Sequence, residues 1–433
     1  MSMKKTNVLI FPAGAENALE IHEALKYNLH FTLFGASGKQ DYGELQYPPE
    51  RYHQGDLYIG DPGFLSRFNR VLDEFQIDLI VPTHDTIALY LAQNAHLLHG
   101  RLVCSNARAA YFARNKLEMF SELQGEPFLP RVYQAPYDRL DFPLFVKPSV
   151  GEGAKGAHRI DTMEQFEAEK DGLDGMVVCE YLPGREYTVD CFTDRHGTLL
   201  FAGARSRERI GMGIAFRCCG GPASEEIREI AQRVGDRFGL RGAWYLQLKE
   251  DREKRLKLME FSVRMAGTMV YFRQLGVNFP ALSLFDAMGL DVSILFNDYP
   301  LRIERCIKTR CRPGFEFQTL YVDLDDTLIV DGQVNSTLVQ LIYQCVNTGK
   351  KVVLLTKHEQ DLDDSLARHR LSRGLFDEVI LLAPEQSKAD YIRGPQAVLI
   401  DNYFQERRSV RERLHIPVFD VDAAECLLRE DIL

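Results

Sequence analysis

The segment FPLFVKPSVGEGAKGAHRI, residues 142–160, joins an apolar strand to a glycine-rich turn. Lys147 lies at the end of the strand, and Gly151, Gly153 and Gly156 follow it. Glycine lets backbone N–H groups approach a polyphosphate closely, and Lys147 adds a fixed cation beside them. The segment therefore predicts either a phosphate-binding loop or an ordinary glycine-rich hairpin with a solvated lysine, and a short motif alone does not separate the two.

Three later segments carry side chains that a nucleotide and its metal require. Carboxylates, backbone groups after a strand and paired arginines suit an adenine edge, a ribose and an anion. Oxygen ligands on two paired strands suit magnesium. The segments are CEYLPGREYTVD (179–190) with Glu180, Leu182 and Glu186, ARSRER (204–209) with Arg205 and Arg207, and WYLQLKEDREKRLKLMEFSVRMAGT (244–268) with Gln247, Glu260, Ser262 and Arg264. Surface salt bridges are the alternative role for the two arginines of ARSRER.

With these segments in this order, residues 5–300 resemble the ATP-grasp superfamily, in its carbamoyl-phosphate-synthase-like branch of ATP-dependent ligases. The resemblance implies ATP and Mg²⁺ as cofactors and a carboxylate that is activated as an acyl-phosphate before an amine displaces the phosphate. It implies that Arg264 stabilises the acyl-phosphate. It implies metal ligands at Gln247, Glu260 and Ser262, and an ATP site made of Lys116, Lys147, Gly153, Glu180, Leu182 and Glu186.

One position departs from the pattern of that superfamily. The usual Glu-x-Asn-x-Arg reads Glu260-Phe261-Ser262-Val263-Arg264 here, so a hydroxyl replaces a metal-binding amide. A serine can still coordinate a metal or hold a metal-bound water. A degenerate nucleotide-binding module therefore stays the alternative to an active ligase.

The first hundred residues alternate short apolar runs with helical periodicity. The runs are VLIF (8–11), FTLFG (31–35), DLIVP (78–82) and LVCS (102–105). Such alternation predicts a parallel sheet with helices on both faces. His84 and Asp85 follow the third run, where open α/β sheets place ligands, so they either line an acceptor pocket or cap the next helix.

A second alternating run begins near residue 316. The strand LYV leads into Asp323 and Asp325, and two carboxylates at this spacing can serve as nucleophile and general acid beside magnesium. An acidic surface turn is the alternative. Later strands end at Thr356 and Asp401, and Lys388 follows a loop between them.

Residues 318–433 resemble the haloacid-dehalogenase (HAD) phosphatase superfamily in the order of these motifs. The resemblance implies that Asp323 is the aspartyl nucleophile, that Asp325 is the acid/base, and that Thr356 and Lys388 bind the phosphate. It implies a magnesium site made of Asp323, Asp325 and Asp401. Asn402 stands where many members carry a second acid. About 30 residues separate successive motifs, which leaves no room for a cap domain.

The composition limits the partners that we expect. The chain has 433 residues and a formal net charge of -10, which disfavours nucleic acid and anionic membranes as partners. Its nine cysteines are scattered without a CxxC pair, which predicts a reducing, cytoplasmic location. No signal sequence and no long apolar run are evident. The expected partners are small carboxylate and amine substrates and a small phosphorylated metabolite, and a homo-oligomer is left open.

The sequence thus predicts an α/β protein of three domains: a preATP-grasp parallel-sheet domain (1–112), an α+β ATP-grasp domain (113–315) and a Rossmann-like HAD domain without a cap (316–433). The predicted function is an ATP-dependent carboxylate–amine ligase fused to a magnesium-dependent phosphatase. Two alternatives remain: the phosphatase is the only catalyst, or the ligase is active beside an inert HAD scaffold.

Overall fold

The computed structural model describes residues 5–151, 155–211 and 214–431. The chain divides into two compact units: unit 1 ends at Ile307 and unit 2 begins at Lys308. The three predicted domains, with boundaries at 112/113 and 315/316, stay a prediction. Within the described ranges, no helix is both long and apolar enough to cross a membrane.

Unit 1 begins with a five-stranded parallel sheet, in the strand order β3-β2-β1-β4-β5, as the alternation of apolar runs predicts. The strands are β1 (Thr6–Phe11), β2 (Phe31–Ser37), β3 (Tyr52–Gln54), β4 (Leu79–Pro82) and β5 (Arg101–Leu102), and the helices are α1 (Glu16–Leu25), α2 (Phe64–Glu74) and α3 (Asp85–Gln93). Val8 and Ile10 of β1 are buried in one core, and Leu9 and Phe11 in another. Both faces of this sheet are therefore covered.

A small antiparallel sheet follows, in the order β6-β9-β7-β8. Its segment comprises α4 (Ala107–Arg114), α5 (Lys116–Glu122), β6 (Val132–Tyr133), β7 (Leu144–Pro148), β8 (His158–Ile160), α6 (Met163–Glu169) and β9 (Met176–Glu180). The strand β7 pairs with both β8 and β9, and this pairing places Lys147 opposite Val177. The predicted phosphate lysine is thus held on a paired strand.

The described residues next form a seven-stranded sheet, in the order β12-β13-β11-β10-β14-β15, with β16 paired to β13. Its elements are β10 (Glu186–Thr193), β11 (Leu199–Ser206), β12 (Arg209–Gly211), β13 (Ile214–Pro222), α7 (Glu225–Phe238), β14 (Gly242–Glu250), β15 (Leu256–Ser262), α8 (Val270–Gln274), α9 (Phe279–Ala287) and β16 (Arg302–Glu304). Adjacent strands are antiparallel. The helix α7 begins after the cap Ser224 and ends at Gly239, whose positive φ of 64° suits glycine.

Unit 2 has a second five-stranded parallel sheet, in the order β21-β20-β17-β22-β23. Its elements are β17 (Thr319–Val322), β18 (Ile329–Val330), β19 (Gln333–Val334), α10 (Ser336–Asn347), β20 (Lys351–Thr356), α11 (Leu362–Arg368), β21 (Glu378–Leu381), β22 (Ala397–Ile400), α12 (Phe404–Leu414) and β23 (Val418–Phe419). The β17–β20 connection holds only the β18–β19 hairpin and α10. Because β17, β20 and β22 are parallel neighbours, their carboxyl ends meet at one edge of the sheet.

Short 3₁₀ helices complete both units. They span Tyr42–Leu45, Pro49–Arg51, Ala95–Leu97, Lys170–Gly172, Gly267–Met269, Arg373–Leu375, Lys388–Asp390 and Val421–Leu427. The one that begins at Lys388 carries the predicted phosphate lysine of unit 2.

Candidate active sites

A pocket of about 380 Å³ opens in unit 1 beside β7 and β9. Its lining is mostly apolar, with two lysines and one carboxylate. The lining residues are Pro130, Phe145, Lys147, Cys179, Glu180, Tyr181, Leu182, Lys249, Leu258 and Met259. Three residues predicted to bind ATP, Lys147, Glu180 and Leu182, therefore share one pocket. Its apolar walls and few polar groups are typical of a site for a flat organic ring.

Within the part of the chain that the structure describes, the ammonium group of Lys147 forms no ion pair with a carboxylate. Its Nζ donates a hydrogen bond to the carbonyl oxygen of Met259 at 2.9 Å and lies 5.4 Å from the ring centre of Phe120. Burial lowers the pKa of Lys147 below its ordinary value, and the more distant Cys179 and Glu260 only partly oppose this shift. An anion entering the pocket would therefore gain from meeting this ammonium group.

Lys116, the second predicted phosphate cation, is the first residue of α5. Its Nζ lies 3.1 Å from Glu260 Oε2 and donates to the carbonyl oxygen of Gly151 at 3.2 Å. Lys116 thus connects the start of the glycine-rich turn to the strand that carries Glu260. Gly153, also predicted to bind ATP, lies outside the described residues.

The carboxylates predicted to hold adenine and ribose have protein partners. Glu180 Oε1 accepts a hydrogen bond from the backbone N–H of Arg131 at 2.8 Å. Glu186 Oε1 lies 2.8 Å from Arg207 Nε, and Glu186 Oε2 lies 3.6 Å from Lys249 Nζ. Their nucleotide roles stay predictions.

Arg205 forms a buried ion pair, and its predicted role in a fork-shaped anion site stays a prediction. Its Nε lies 2.6 Å from Asp190 Oδ2, and the whole residue is only 1% exposed. Arg207 pairs with Glu186 instead. The physical reason is that Asp190 and Glu186 lie on β10, directly beside the strand of the arginines, so cross-strand pairing satisfies both charges. The salt-bridge alternative describes these two arginines, although in a buried form.

Gln247 and Glu260, two predicted metal ligands, lie directly opposite each other on β14 and β15. A carboxylate and an amide oxygen are ligands of the kind that magnesium accepts. The side chain of Glu260 is 31% exposed, so it can still take a ligand. Over the ranges that the structure describes, no group of three His, Cys, Asp or Glu side chains is arranged to hold a metal ion.

Ser262, the third predicted metal ligand, does something else. Its hydroxyl donates a hydrogen bond to Asp85 Oδ1 at 2.5 Å, and the residue is buried. Asp85 Oδ2 accepts a second hydrogen bond from Arg264 Nε at 2.9 Å. The hydroxyl of Ser262 is thus engaged by Asp85, and its role as a metal ligand stays a prediction. Burial acts to raise the pKa of Asp85, but the charge of Arg264 and these two hydrogen bonds outweigh it and leave the pKa lowered.

The sequence leaves two roles open for Asp85: lining an acceptor pocket or capping the next helix. Asp85 is the first residue of α3, and the residue before it, His84, makes no side-chain cap bond. Its partners Ser262 and Arg264 are 177 and 179 positions away in sequence. Only the position after a strand of the parallel sheet marked Asp85 as a candidate. A second pocket of about 530 Å³ lies beside Arg264, between β4, β5 and α9.

In unit 2, three predicted residues meet at the carboxyl ends of β17 and β22. Lys388 Nζ lies 2.7 Å from Asp323 Oδ1 and 2.5 Å from Asp401 Oδ2. All three side chains are at most 9% exposed. Burial raises the pKa of Asp323 to about 6, Lys388 opposes that shift, and Asp401 adds to it. Burial acts to lower the pKa of Lys388, but the two carboxylates outweigh it and raise that pKa.

Thr356 and Asp325 lie at the same edge of unit 2 but differ in their partners. Thr356 is fully buried, and its Oγ1 has no hydrogen-bond partner among the described residues. Asp325 is bound through both oxygens to Nδ1 of His358 at 2.9 Å, and Nε2 of His358 lies 2.8 Å from Ser365 Oγ. Sequence analysis missed His358, although it follows Thr356 by two positions.

Comparison with known proteins adds a family match inside unit 1. Residues 173–304 match the family described as ATP-grasp in the biosynthetic pathway with Ter operon. This range includes nine of the predicted site residues of unit 1, among them Glu180, Glu260 and Arg264. The match ends before unit 2 begins. No curated protein matches the chain.

Solved structures show a similar fold at low sequence identity. An L-amino acid ligase from Bacillus licheniformis is 17% identical, with a TM-score of 0.53 over 66% of this chain and 75% of that one. N5-carboxyaminoimidazole synthetase from Staphylococcus aureus, complexed with ADP, is 13% identical, with a TM-score of 0.57 over 71% and 83%. The biotin carboxylase domain dimer of Hydrogenobacter thermophilus 2-oxoglutarate carboxylase, in complex with MgADP, ADP and bicarbonate, is 15% identical, with a TM-score of 0.54 over 68% and 73%. About two thirds of this chain therefore has the mixed α/β fold of these enzymes.

Proposed function

We propose that unit 1 is an ATP-dependent ligase that joins a carboxylate to an amine through an acyl-phosphate. The observation that carries this proposal is the pocket of about 380 Å³, where Glu180 and Leu182 line an apolar cavity together with Lys147. The apolar walls suit an adenine ring, and the ammonium group suits the phosphates. The match of residues 173–304 to an ATP-grasp family supports the same conclusion.

Each residue of the site has a chemical task in this proposal. Lys147 and Lys116 attract the phosphates and neutralise charge as the carboxylate attacks the γ-phosphate. Glu260 and Gln247 would hold Mg²⁺, which supplies further positive charge to the phosphates when it is bound. Arg264 stabilises the acyl-phosphate, and Glu186 holds the ribose. ADP leaves as the acyl-phosphate forms; the amine then attacks the acyl carbon, inorganic phosphate leaves, and the nitrogen loses a proton to give the ligated product.

A thermal-shift measurement followed by a substrate screen tests this function. ATP with Mg²⁺ should raise the melting temperature of unit 1, because a ligand that binds only the native state stabilises it by mass action. Amino acids and sugar acids, offered in pairs with amines, are then screened for stimulated ADP release. Lys147→Ala should lose both responses. No shift at millimolar ATP would contradict the proposal, and a shift without stimulated ADP release for any pair would favour the nucleotide-binding module instead.

We also propose that unit 2 is a phosphatase of the HAD type that acts on a small phosphorylated metabolite. The observation that favours it is the buried group Asp323, Lys388 and Asp401, at the same edge of the sheet as Thr356, whose hydroxyl has no hydrogen-bond partner among the described residues. Lys388 lies between the two carboxylates, whose negative charges would also suit a magnesium ion. Asp323 would attack the phosphorus, Asp325 would protonate the leaving oxygen and later activate water, and Thr356 with Lys388 would bind the phosphate oxygens.

Hydrolysis of an aryl phosphate tests the second function directly. The full chain with Mg²⁺ should release phosphate, and chelation of the metal should stop the reaction. Phosphate release that Asp323→Asn leaves unchanged would contradict the assignment. No release from a panel of small phosphate esters would favour an inert scaffold beside an active ligase.

A further inference from the structure

Asp85 connects the parallel sheet of unit 1 to the strand that bears the predicted catalytic residues. It follows β4, on a loop that Thr83 fixes: the backbone N–H of Thr83 donates to the Phe11 carbonyl at 2.9 Å, and its hydroxyl donates to the Pro12 carbonyl at 2.7 Å. The carboxylate of Asp85 is therefore presented from a rigid loop. Its side chain is 15% exposed, so few water molecules compete with its protein partners.

The two oxygens of Asp85 have different partners on one stretch of chain. Oδ1 accepts the hydroxyl hydrogen of Ser262 at 2.5 Å, and Oδ2 accepts from Arg264 Nε at 2.9 Å. The guanidinium carbon of Arg264 lies 5.5 Å from the ring centre of Tyr245, and its Nη1 donates to the Met265 carbonyl at 3.3 Å. A carboxylate at one edge and an aromatic ring at the face fix the plane of a guanidinium group.

We infer that Asp85 is a positioning residue that sets the orientation of Arg264, and that Ser262 serves as the second anchor of Asp85 rather than as a metal ligand. The inference rests on the proposed ligase function, in which Arg264 contacts the reacting acyl-phosphate. It goes beyond that function because it assigns a role to a residue of the N-terminal sheet. It also gives Ser262 a task, because its hydroxyl donates to the Asp85 carboxylate, and the proposed metal ligands on this hairpin are then Glu260 and Gln247.

The inference separates two measurable quantities. Arg264 acts on the reacting groups, so a disturbed orientation should lower kcat, because small misplacements of a catalytic group cost up to about a hundredfold in rate. Binding of MgATP depends on Lys116, Lys147, Glu260 and the pocket walls, so KM for ATP should change little. A merely structural role for Asp85 would instead lower both parameters together with the amount of folded protein.

The experiment compares Asp85→Asn, Asp85→Glu and Ser262→Ala with Asp78→Asn in the full chain. Asp78 precedes β4 at the opposite end of the same strand and accepts a hydrogen bond from the backbone N–H of Asn7, so it controls for loss of a carboxylate. Asp85→Asn should lower kcat for ADP formation by about 10-fold to 100-fold with KM for ATP within about twofold. Asp85→Glu should recover part of the rate, and Asp78→Asn should match the parent.

Ser262→Ala tests the second half of the inference with a readout other than turnover. The Mg²⁺ concentration that gives half of the ATP-induced thermal shift should stay within about twofold of the parent, because no metal ligand is lost. An increase of more than about fivefold would make Ser262 a metal ligand and overturn its assigned role, and parental kcat in Asp85→Asn would overturn the role of Asp85. Absence of any ATP-induced shift in the parent protein would instead contradict the proposed function itself, so the two failures are distinguishable.

Discussion

Lys147 of unit 1 and Lys388 of unit 2 share a predicted role but have opposite electrostatic surroundings. The ammonium of Lys147 is 2.9 Å from a carbonyl oxygen, and burial lowers its pKa. The ammonium of Lys388 lies between two carboxylates at 2.7 and 2.5 Å, and they raise its pKa despite burial. Lys147 can therefore form an ion pair with an anionic ligand, whereas Lys388 is already paired with two carboxylates.

This difference indicates which ligand each site takes first. In unit 1, Lys116 pairs with Glu260, whereas Lys147 forms no ion pair among the described residues, so its ammonium group is available to a polyphosphate. Asp323 and Asp401 face the single ammonium of Lys388 in unit 2, so that site has an excess of negative charge. In the proposed phosphatase, Asp323 and Asp401 would hold a divalent cation, which would lower this negative charge for an approaching phosphate.

The largest expected effect is at the proposed phosphatase site of unit 2, where Asp323 and Asp401 are paired with Lys388. Asp323→Asn removes the charge of the proposed nucleophile with little change in volume, so phosphate release from an aryl ester should fall by at least about a thousandfold. Stimulated ADP release by unit 1 should persist in the same variant. The control is Asp363→Asn, an exposed position on α11. Loss of ADP release in Asp323→Asn would show that the two sites share one reaction path.

The next effect is on the stability of unit 1, which contains a buried ion pair between Arg205 and Asp190. Arg205→Ala leaves Asp190 buried without its partner, so the free energy of unfolding should fall by about 3–5 kcal/mol. Arg159→Ala, which breaks a solvent-exposed ion pair with Asp161, should change the free energy of unfolding little. Urea denaturation measures both. If Arg205→Ala is as stable as the parent but fails to form ADP, the result would support the predicted anion-binding role of Arg205.

A smaller effect is expected at the proposed ATP site of unit 1. Glu260→Gln keeps the shape of the side chain but removes its charge, so ADP formation should fall by about a hundredfold, the scale of one strong electrostatic contribution to the transition state. Aryl phosphate hydrolysis should not change. Glu253→Gln lies in the exposed turn of the same hairpin and serves as the control. If Glu260→Gln forms ADP at the parental rate, the magnesium site lies elsewhere.

Local patterns in the sequence predicted much of this arrangement. Thr356 and Asp401 end or follow apolar strands, and parallel strands bring their ends to one edge, so their proximity could be anticipated. Gln247 and Glu260 were expected on paired strands and lie in register. Lys147 was expected at the end of a strand and lies there.

Contacts between distant segments could not be predicted in the same way. Asp85 meets Ser262 and Arg264 because the carboxyl end of β4 lies near the end of β15 in the fold. No sequence periodicity encodes that contact. Arg205 looked available for an anion because its partner Asp190 lies on the neighbouring strand, and cross-strand register depends on the turn between the strands. Side-chain partners across the fold are set by tertiary packing rather than by local pattern.

The smallest expected effect concerns the cost of keeping Lys147 charged. Its pKa is lowered by burial, so the folded protein binds this proton less tightly than the unfolded chain does. The resulting destabilisation is fully present below the folded pKa and disappears as the pH rises toward the unfolded value of 10.5. Lys147→Met should therefore raise the free energy of unfolding without nucleotide by about 1 kcal/mol at pH 7.5, since replacing an uncompensated buried charge by an apolar side chain is often stabilising. The gain should shrink at pH 9.5.

The same variant should lose the ATP-induced thermal shift, and Lys170→Met, at an exposed position, should change neither quantity. Destabilisation by Lys147→Met at both pH values would mean that the hydrogen bond to Met259 outweighs the cost of burial, and unit 1 would then hold its cation as firmly as unit 2 does.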